Sequence, residues 1–155
     1  MKLSDYCSEK LWKPLGAKNP GFWSLDHNGG DEKAYCCFNS NARDFARIGQ
    51  LYLKNGRWKG RQIVSEDYVK ASIVPADLVE NDDGSKLTRY GYSWWMTDYK
   101  NWHIFFAEGM MGQYIIVVPD KNAVLVRLAR NRAKEKINRL PADLYMYLNL
   151  IDESY

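Results

Sequence analysis

The sequence is poor in the residues that hold metals. It has two histidines, His27 and His103, and three cysteines, Cys7, Cys36 and Cys37. Neither histidine lies near the cysteine pair, so no spacing resembles a zinc site, and no metal or cofactor is expected. An odd cysteine count argues against a disulfide framework. Adjacent cysteines rarely bridge each other, so no bond is expected between Cys36 and Cys37. No run is long and apolar enough to span a bilayer, and the first residues lack the apolar stretch of a signal peptide. Charge of one sign is not concentrated anywhere. The formal net charge is +3 and the pI about 8.7, with the basic residues spread along the chain. That pattern speaks against nucleic acid as a partner.

What is present suits one domain, residues 1–155, with a real core. Hydrophobic residues make up 46% and charged residues 26%, an ordinary globular balance. Aromatics reach 14%, with six Trp and eleven Tyr. Such a surplus fits a well-packed core or a ligand-facing cleft.

The first half reads as helices joined by loops. Ser4 is a candidate cap for a short helix carrying Leu3, Cys7, Leu11 and Leu15 at helical spacing, ended by Pro14 to Gly16. Lys18 to Gly30 is rich in Gly, Asn and Asp and reads as loop. The segment from Asn41 to Gly56 is the clearest helix. Asn41 caps it, and Asp44 stands three residues on, as in a capping box. Phe45, Ile48 and Tyr52 share a face, and Gly56 is the stop. A second such helix runs from Ser65 to Pro75, with Ser65 as cap and Glu66 and Asp67 in the first turn. Glu80 to Lys86 is a polar loop.

The second half changes period. Short runs of β-branched and aromatic residues start at Tyr90, Trp102, Gln113 and Ala123, with a turn over Pro119 to Asn122. A last helix, Leu140 to Ile151, carries Leu140, Leu144, Leu148 and Ile151 as a stripe. The class is α+β: helices, then a three- to four-stranded antiparallel meander, then a C-terminal helix packed on the sheet.

No complete catalytic set appears. There is no Gly-x-Ser-x-Gly elbow, and no serine has a lysine three residues on. Tyr-x-Asn occurs at Tyr99 to Asn101 and at Tyr147 to Asn149, as chance allows in a Tyr-rich chain. His103 alternates with apolar residues and reads as structural, and His27 as solvated. Glu108 is a candidate general acid. Trp94 and Trp95 should send one ring to each sheet face, one into the core and the other available to a cleft.

Four stretches taken in order carry a resemblance: "EKLWKPLGAKN", "NARDFARIGQLYLKNGRWKGRQIVSEDYV", "YGYSWWM" and "AEGMMGQYIIVVPDKNAVLVRLA". The set resembles the C-terminal part of the serine β-lactamase-like hydrolases, which include class C β-lactamases, penicillin-binding-protein-like esterases and nylon-oligomer hydrolases. The match runs over nearly the whole chain. It implies a partial β-lactamase/transpeptidase-like fold in a piece of a longer hydrolase. The upstream Ser-x-x-Lys and Tyr-x-Asn motifs would lie in the missing N-terminal part of the same polypeptide. The substrate implied is a small ester or amide. Where the family has Lys-Thr-Gly or His-Thr-Gly, this chain has Glu108 to Gln113 without the Lys, His or Thr, which is closer to the esterase and amidase branch.

By that likeness, the backbone N–H of Met110 is the candidate oxyanion-hole donor. Gly109 and Gly112 would keep side chains out of the substrate's way. Met111, Gln113, Trp94 and Trp95 are the candidate substrate contacts. Members of the family are often exported, although no sorting signal is visible here. A rival reading is a non-catalytic module that binds or oligomerises through exposed Trp94, Trp95, Trp102 and Tyr114. The family's fold also implies that the run Ala123–Ala129 has lost a neighbouring strand. Its bare edge would make a homodimer of the isolated chain.

Overall fold

The computed structural model describes residues 1–77, 80–81 and 83–154. The chain opens with helix α1 (Leu3–Cys7), continued by a π-helical turn over Ser8–Trp12. Ser4 does not cap α1: the cap position falls on Lys2, and the Ser4 hydroxyl donates to Glu32 Oε1 instead. Part of the expected loop after it is paired. Strand β1 (Phe22–Trp23) runs antiparallel to β2 (Phe38–Asn39).

Between these strands Cys36 and Cys37 are bonded to each other, against the expectation of no bridge. The chain turns sharply here, with Cys37 at φ +73°. Trp23 Nε1 donates to the Cys36 carbonyl at 2.8 Å, and the Ser24 N–H donates to the Cys37 carbonyl at 3.1 Å. The bridged pair is thereby stitched to β1. Cys7 is free.

Helix α2 (Ala42–Leu53) starts where its cap requires, with the Asn41 side chain accepting from the Asp44 N–H at 3.0 Å. A hairpin of β3 (Arg57–Trp58) and β4 (Arg61–Gln62) follows. Helix α3 (Glu66–Ser72) is capped by Ser65, whose hydroxyl accepts from the Tyr68 N–H at 3.3 Å. The polar loop expected over Glu80 to Lys86 contains Asp82, which lies outside the described residues. Its ends, Glu80 and Lys86, form an antiparallel bridge.

The second half is the expected meander. Strands β5 (Trp95–Tyr99), β6 (Trp102–Gly109), β7 (Gln113–Val118) and β8 (Ala123–Arg127) pair antiparallel in that order. Strand β5 starts at Trp95 and not at Tyr90. The preceding residues are claimed by other partners: the Tyr92 N–H donates to the Ser72 carbonyl, the Gly91 N–H to the Trp94 carbonyl, and Ser93 sits at φ +65°. Strand β9 (Lys136–Ile137) then pairs with β10 (Leu140–Pro141), so the last helix, α4 (Ala142–Ser154), begins at Ala142 and not at Leu140.

The sheet is covered on both faces. Leu144, Leu148 and Ile151 of α4 pack on Ile104, Phe106, Tyr114, Ile116 and Val118, all buried. Tyr52 and Leu53 of α2 pack on the other face, against Trp94, Phe105 and Val117. A fully buried side chain such as Phe106 or Ile116 contributes about 1.5–3 kcal/mol relative to exposure.

Candidate active site

At one end of the sheet, β6 and β7 are joined by Met110, Met111 and Gly112, closed by the pair Gly109 and Gln113. Met110 is 82% exposed and Met111 56%. Met111 is left-handed at φ +62°, and Gly112 at φ +78°. That conformation costs a non-glycine residue about 1 kcal/mol. Among the described residues, the N–H groups of Met110, Met111 and Gly112 donate to no protein acceptor. The five loop residues singled out in the sequence, Gly109 to Gln113, are thus brought together in one exposed turn with unused donors.

The glycines have a different reason from the one the sequence suggested. A Cβ at Gly112 would lie 1.9 Å from Arg127 Nη1, and one at Gly109 would lie 3.0 Å from the Gln113 Cβ. The vacated space at 112 is filled from within the protein by a guanidinium and is not left open to a substrate.

Strand alternation puts Glu108, Tyr114 and Arg127 on one face, since Glu108 pairs with Tyr114 and Tyr114 with Arg127. Asp143, in the first turn of α4, closes this row from above. It accepts from the Tyr114 hydroxyl at 3.1 Å and from the Ala133 N–H at 3.3 Å, and lies 3.6 Å from Arg127 Nη1. Arg132 donates to Glu108 Oε1 at 2.8 Å. Burial pushes the Glu108 carboxyl above its ordinary range, and Arg132 only partly offsets it. Burial, then the carboxylates of Asp143 and Glu108, push the Tyr114 phenol up as well. Glu108 is therefore a partly buried carboxyl tied to Arg132.

Gln113 points to the opposite face. Its amide accepts from the Ala129 N–H at 3.1 Å and donates to the Ala129 carbonyl, so it extends the β7–β8 ladder by side chain. It lines a cavity of 610 Å³ with Phe38, Asn39, Phe45, Leu128 and Arg130.

The other candidates lie elsewhere. Trp94 is 5% exposed and packs against Tyr52 at a ring distance of 4.5 Å. Trp95 faces the α4 side, 4.6 Å from the Tyr90 ring. The two rings do take opposite faces, but both faces are covered, and neither ring lines the cavity at Gln113. The binding-module reading required exposed aromatics. Trp94, Trp102 and Tyr114 are core residues instead. His103 pairs with Asp98 at 2.6 Å on an exposed strand position, and His27 pairs with Asp26 at 2.8 Å. Tyr99 and Asn149, from the two Tyr-x-Asn matches, hydrogen-bond to each other. Among the described residues, no cluster of His, Cys, Asp and Glu is arranged to hold a metal ion.

Arg127 and Asp143 were not foreseen. One signal was available for the first: in the alternating run from Ala123, Arg127 falls on the same inward face as Ala123 and Leu125.

A sequence model of the Beta-lactamase family matches residues 1–145. A solved Bacillus anthracis chain named for 6-aminohexanoate-dimer hydrolase activity superposes with a TM-score of 0.78 at 26% identity. The alignment covers 99% of this chain and 39% of that one. The mixed helix and antiparallel-sheet fold of the chain therefore has a counterpart in a known architecture. The chain belongs to the Beta-lactamase family.

Proposed function

We propose that this chain supplies the rear wall and oxyanion strand of a serine acyl-hydrolase acting on esters or amides, with the nucleophile contributed by polypeptide outside residues 1–155. The observation that carries the reading is the Met110 N–H: an unused backbone donor on an exposed turn at the end of β6. Such a donor, preset in direction, stabilises the negative charge that develops on a carbonyl oxygen during acyl transfer. The family membership supports it, as does the hydrolase named for the Bacillus anthracis neighbour. The missing nucleophile is supported by the serines themselves, none of which has a lysine three residues on. The absence of Lys, His and Thr from Glu108 to Gln113 favours ester or amide substrates over β-lactams. Among the described residues, strand β8 is one of the two edge strands of the sheet, and further polypeptide of the hydrolase is assigned the place beside it.

The test uses the chain alone. It should hydrolyse neither p-nitrophenyl esters nor nitrocefin above a buffer control. A fluorophosphonate probe should leave its mass unchanged. Stoichiometric labelling of one defined serine contradicts the assignment of the nucleophile.

A further inference from the structure

We infer that Arg127 is a positioning residue for the turn between β6 and β7, acting through the carbonyls of Met111 and Gly112 to hold the backbone that presents the Met110 N–H. The inference rests on the oxyanion role proposed for that N–H and adds the device that would preorganise it.

The guanidinium sits under the turn. Its Nη1 donates to the Gly112 carbonyl at 2.7 Å and reaches the Met111 carbonyl at 3.5 Å. Its Nη2 donates to the Asn131 carbonyl at 2.8 Å. One planar fork thus ties the turn to the segment that follows β8. Lysine has a single point of attachment and no fixed plane, so it cannot reproduce this set.

The arginine is itself fixed from several sides. Asp143 lies 3.6 Å from Nη1 and is oriented by the Tyr114 hydroxyl. The guanidinium carbon stands 5.9 Å from the Tyr114 ring and 5.6 Å from the Tyr147 ring, within the range of cation–π attraction. Only 20% of the side chain is exposed. The fit to the turn is close: a Cβ at 112 would fall 1.9 Å from Nη1, so any side chain there must push the guanidinium aside. Gly112 and Arg127 are therefore one device, built from residues on two different strands' ends.

The turn has little else to hold it. The side chains of Met110 and Met111 are exposed, and Met111 is left-handed. A sparsely populated backbone conformation persists only where its surroundings over-determine it. An oxyanion donor in turn is effective only if its direction is set before charge develops. The two carbonyls supply the means: fixing them fixes the 111–112 and 112–113 peptide planes. The 109–110 plane that carries the Met110 N–H continues from β6, where Gly109 pairs with Gln113, so the residue between is held from both sides.

The experiment is backbone 15N relaxation on the 155-residue chain. In the wild type, Met110 to Gln113 should show order parameters near those of rigid backbone, about 0.85. In Arg127→Ala and Arg127→Gln they should fall below about 0.6 at Met111 and Gly112, while Ile115 to Val118 stay rigid. Added ethylguanidinium should restore order in Arg127→Ala, and methylammonium should not. Gly112→Ala, which displaces the guanidinium while keeping Arg127, should give the same local loss and serves if the arginine variants do not fold. A turn that stays rigid without Arg127, or order lost equally along the whole sheet, overturns the inference. No acyl chemistry enters this readout. A failed clamp leaves the Met110 donor standing, and a failed donor leaves the clamp standing.

Discussion

Asn41 and Asp44 hold each other at the start of α2: the Asn41 side chain accepts from the Asp44 N–H at 3.0 Å, and Asn41 Nδ2 donates to Asp44 Oδ2 at 2.7 Å. The first bond is the ordinary cap. The second is not the capping box expected from the sequence, in which Asp44 would reach back to the Asn41 backbone. The Asp44 carboxylate is fully buried and also accepts from the Lys18 N–H, the Asn19 N–H and Arg47 Nη1. It anchors the loop after α1 to α2. Asn41→Ala should cost about 1 kcal/mol, the usual value for a lost cap. Asp44→Ala should cost more, about 3 kcal/mol, because it strips the acceptor from several buried donors at once. Urea midpoints decide the order, and a smaller loss at Asp44 than at Asn41 contradicts it.

Asp44 also gives an acid signature. Burial opposes its ionisation, but the hydrogen bonds from Lys18, Asn41 and Asn19 prevail and take its pKa to about 2. In the unfolded chain it titrates near the ordinary value of about 3.9. The folded pKa is the lower one, so the stabilisation is complete above the unfolded value and is lost as pH falls through the folded one. Between these two values the wild type should lose stability more steeply than Asp44→Asn. Parallel pH profiles would show that Asp44 is not the group responsible.

The Cys36–Cys37 bond predicts a simple alkylation count. In denaturant without reductant, iodoacetamide should modify Cys7 alone. After reduction it should modify all three cysteines. Three modifications without reductant would show that the pair is not bonded.

Strand β8 bears on association. It pairs with β7 on one side only and carries Arg127 as its single charge. That charge is turned toward Gly112 and Asp143, so the outer edge has no charged guard of the kind natural edges usually carry. The isolated chain should self-associate through Ala123–Ala129. Light scattering should show a dimer or larger species, reduced by Val126→Pro if circular dichroism shows the fold intact. A monomer at high concentration contradicts this, as does a dimer indifferent to the proline.

The readable parts of this fold are those set by local pattern. Asn41 and Ser65 mark helix starts, and β-branched runs mark β7 and β8, because caps and strand periodicity act within a few residues. What was not legible depends on distant partners. Strand β5 begins late because Tyr92 is bonded to Ser72 across the chain. The five turn residues were found, but Gly112 was credited with making room for a substrate when it makes room for Arg127. Strand alternation sends Trp94 and Trp95 to opposite faces, but nothing local reveals that both faces are covered, Trp94 by Tyr52. The Cys36–Cys37 bond departs from what adjacent cysteines usually do, and it coincides with a left-handed backbone at Cys37.

The role of the Met110 N–H is tested most directly in a polypeptide that contains a nucleophile. This chain would replace the aligned 39% of the Bacillus anthracis neighbour, and hydrolysis of a p-nitrophenyl ester would be followed. Met110→Pro deletes that one donor and no side-chain contact with the core. The turnover number should fall about 10²-fold, the loss typical of a missing oxyanion donor, with KM little changed. A hybrid that turns over its ester equally well with proline at position 110 contradicts the assignment of this strand to the oxyanion hole.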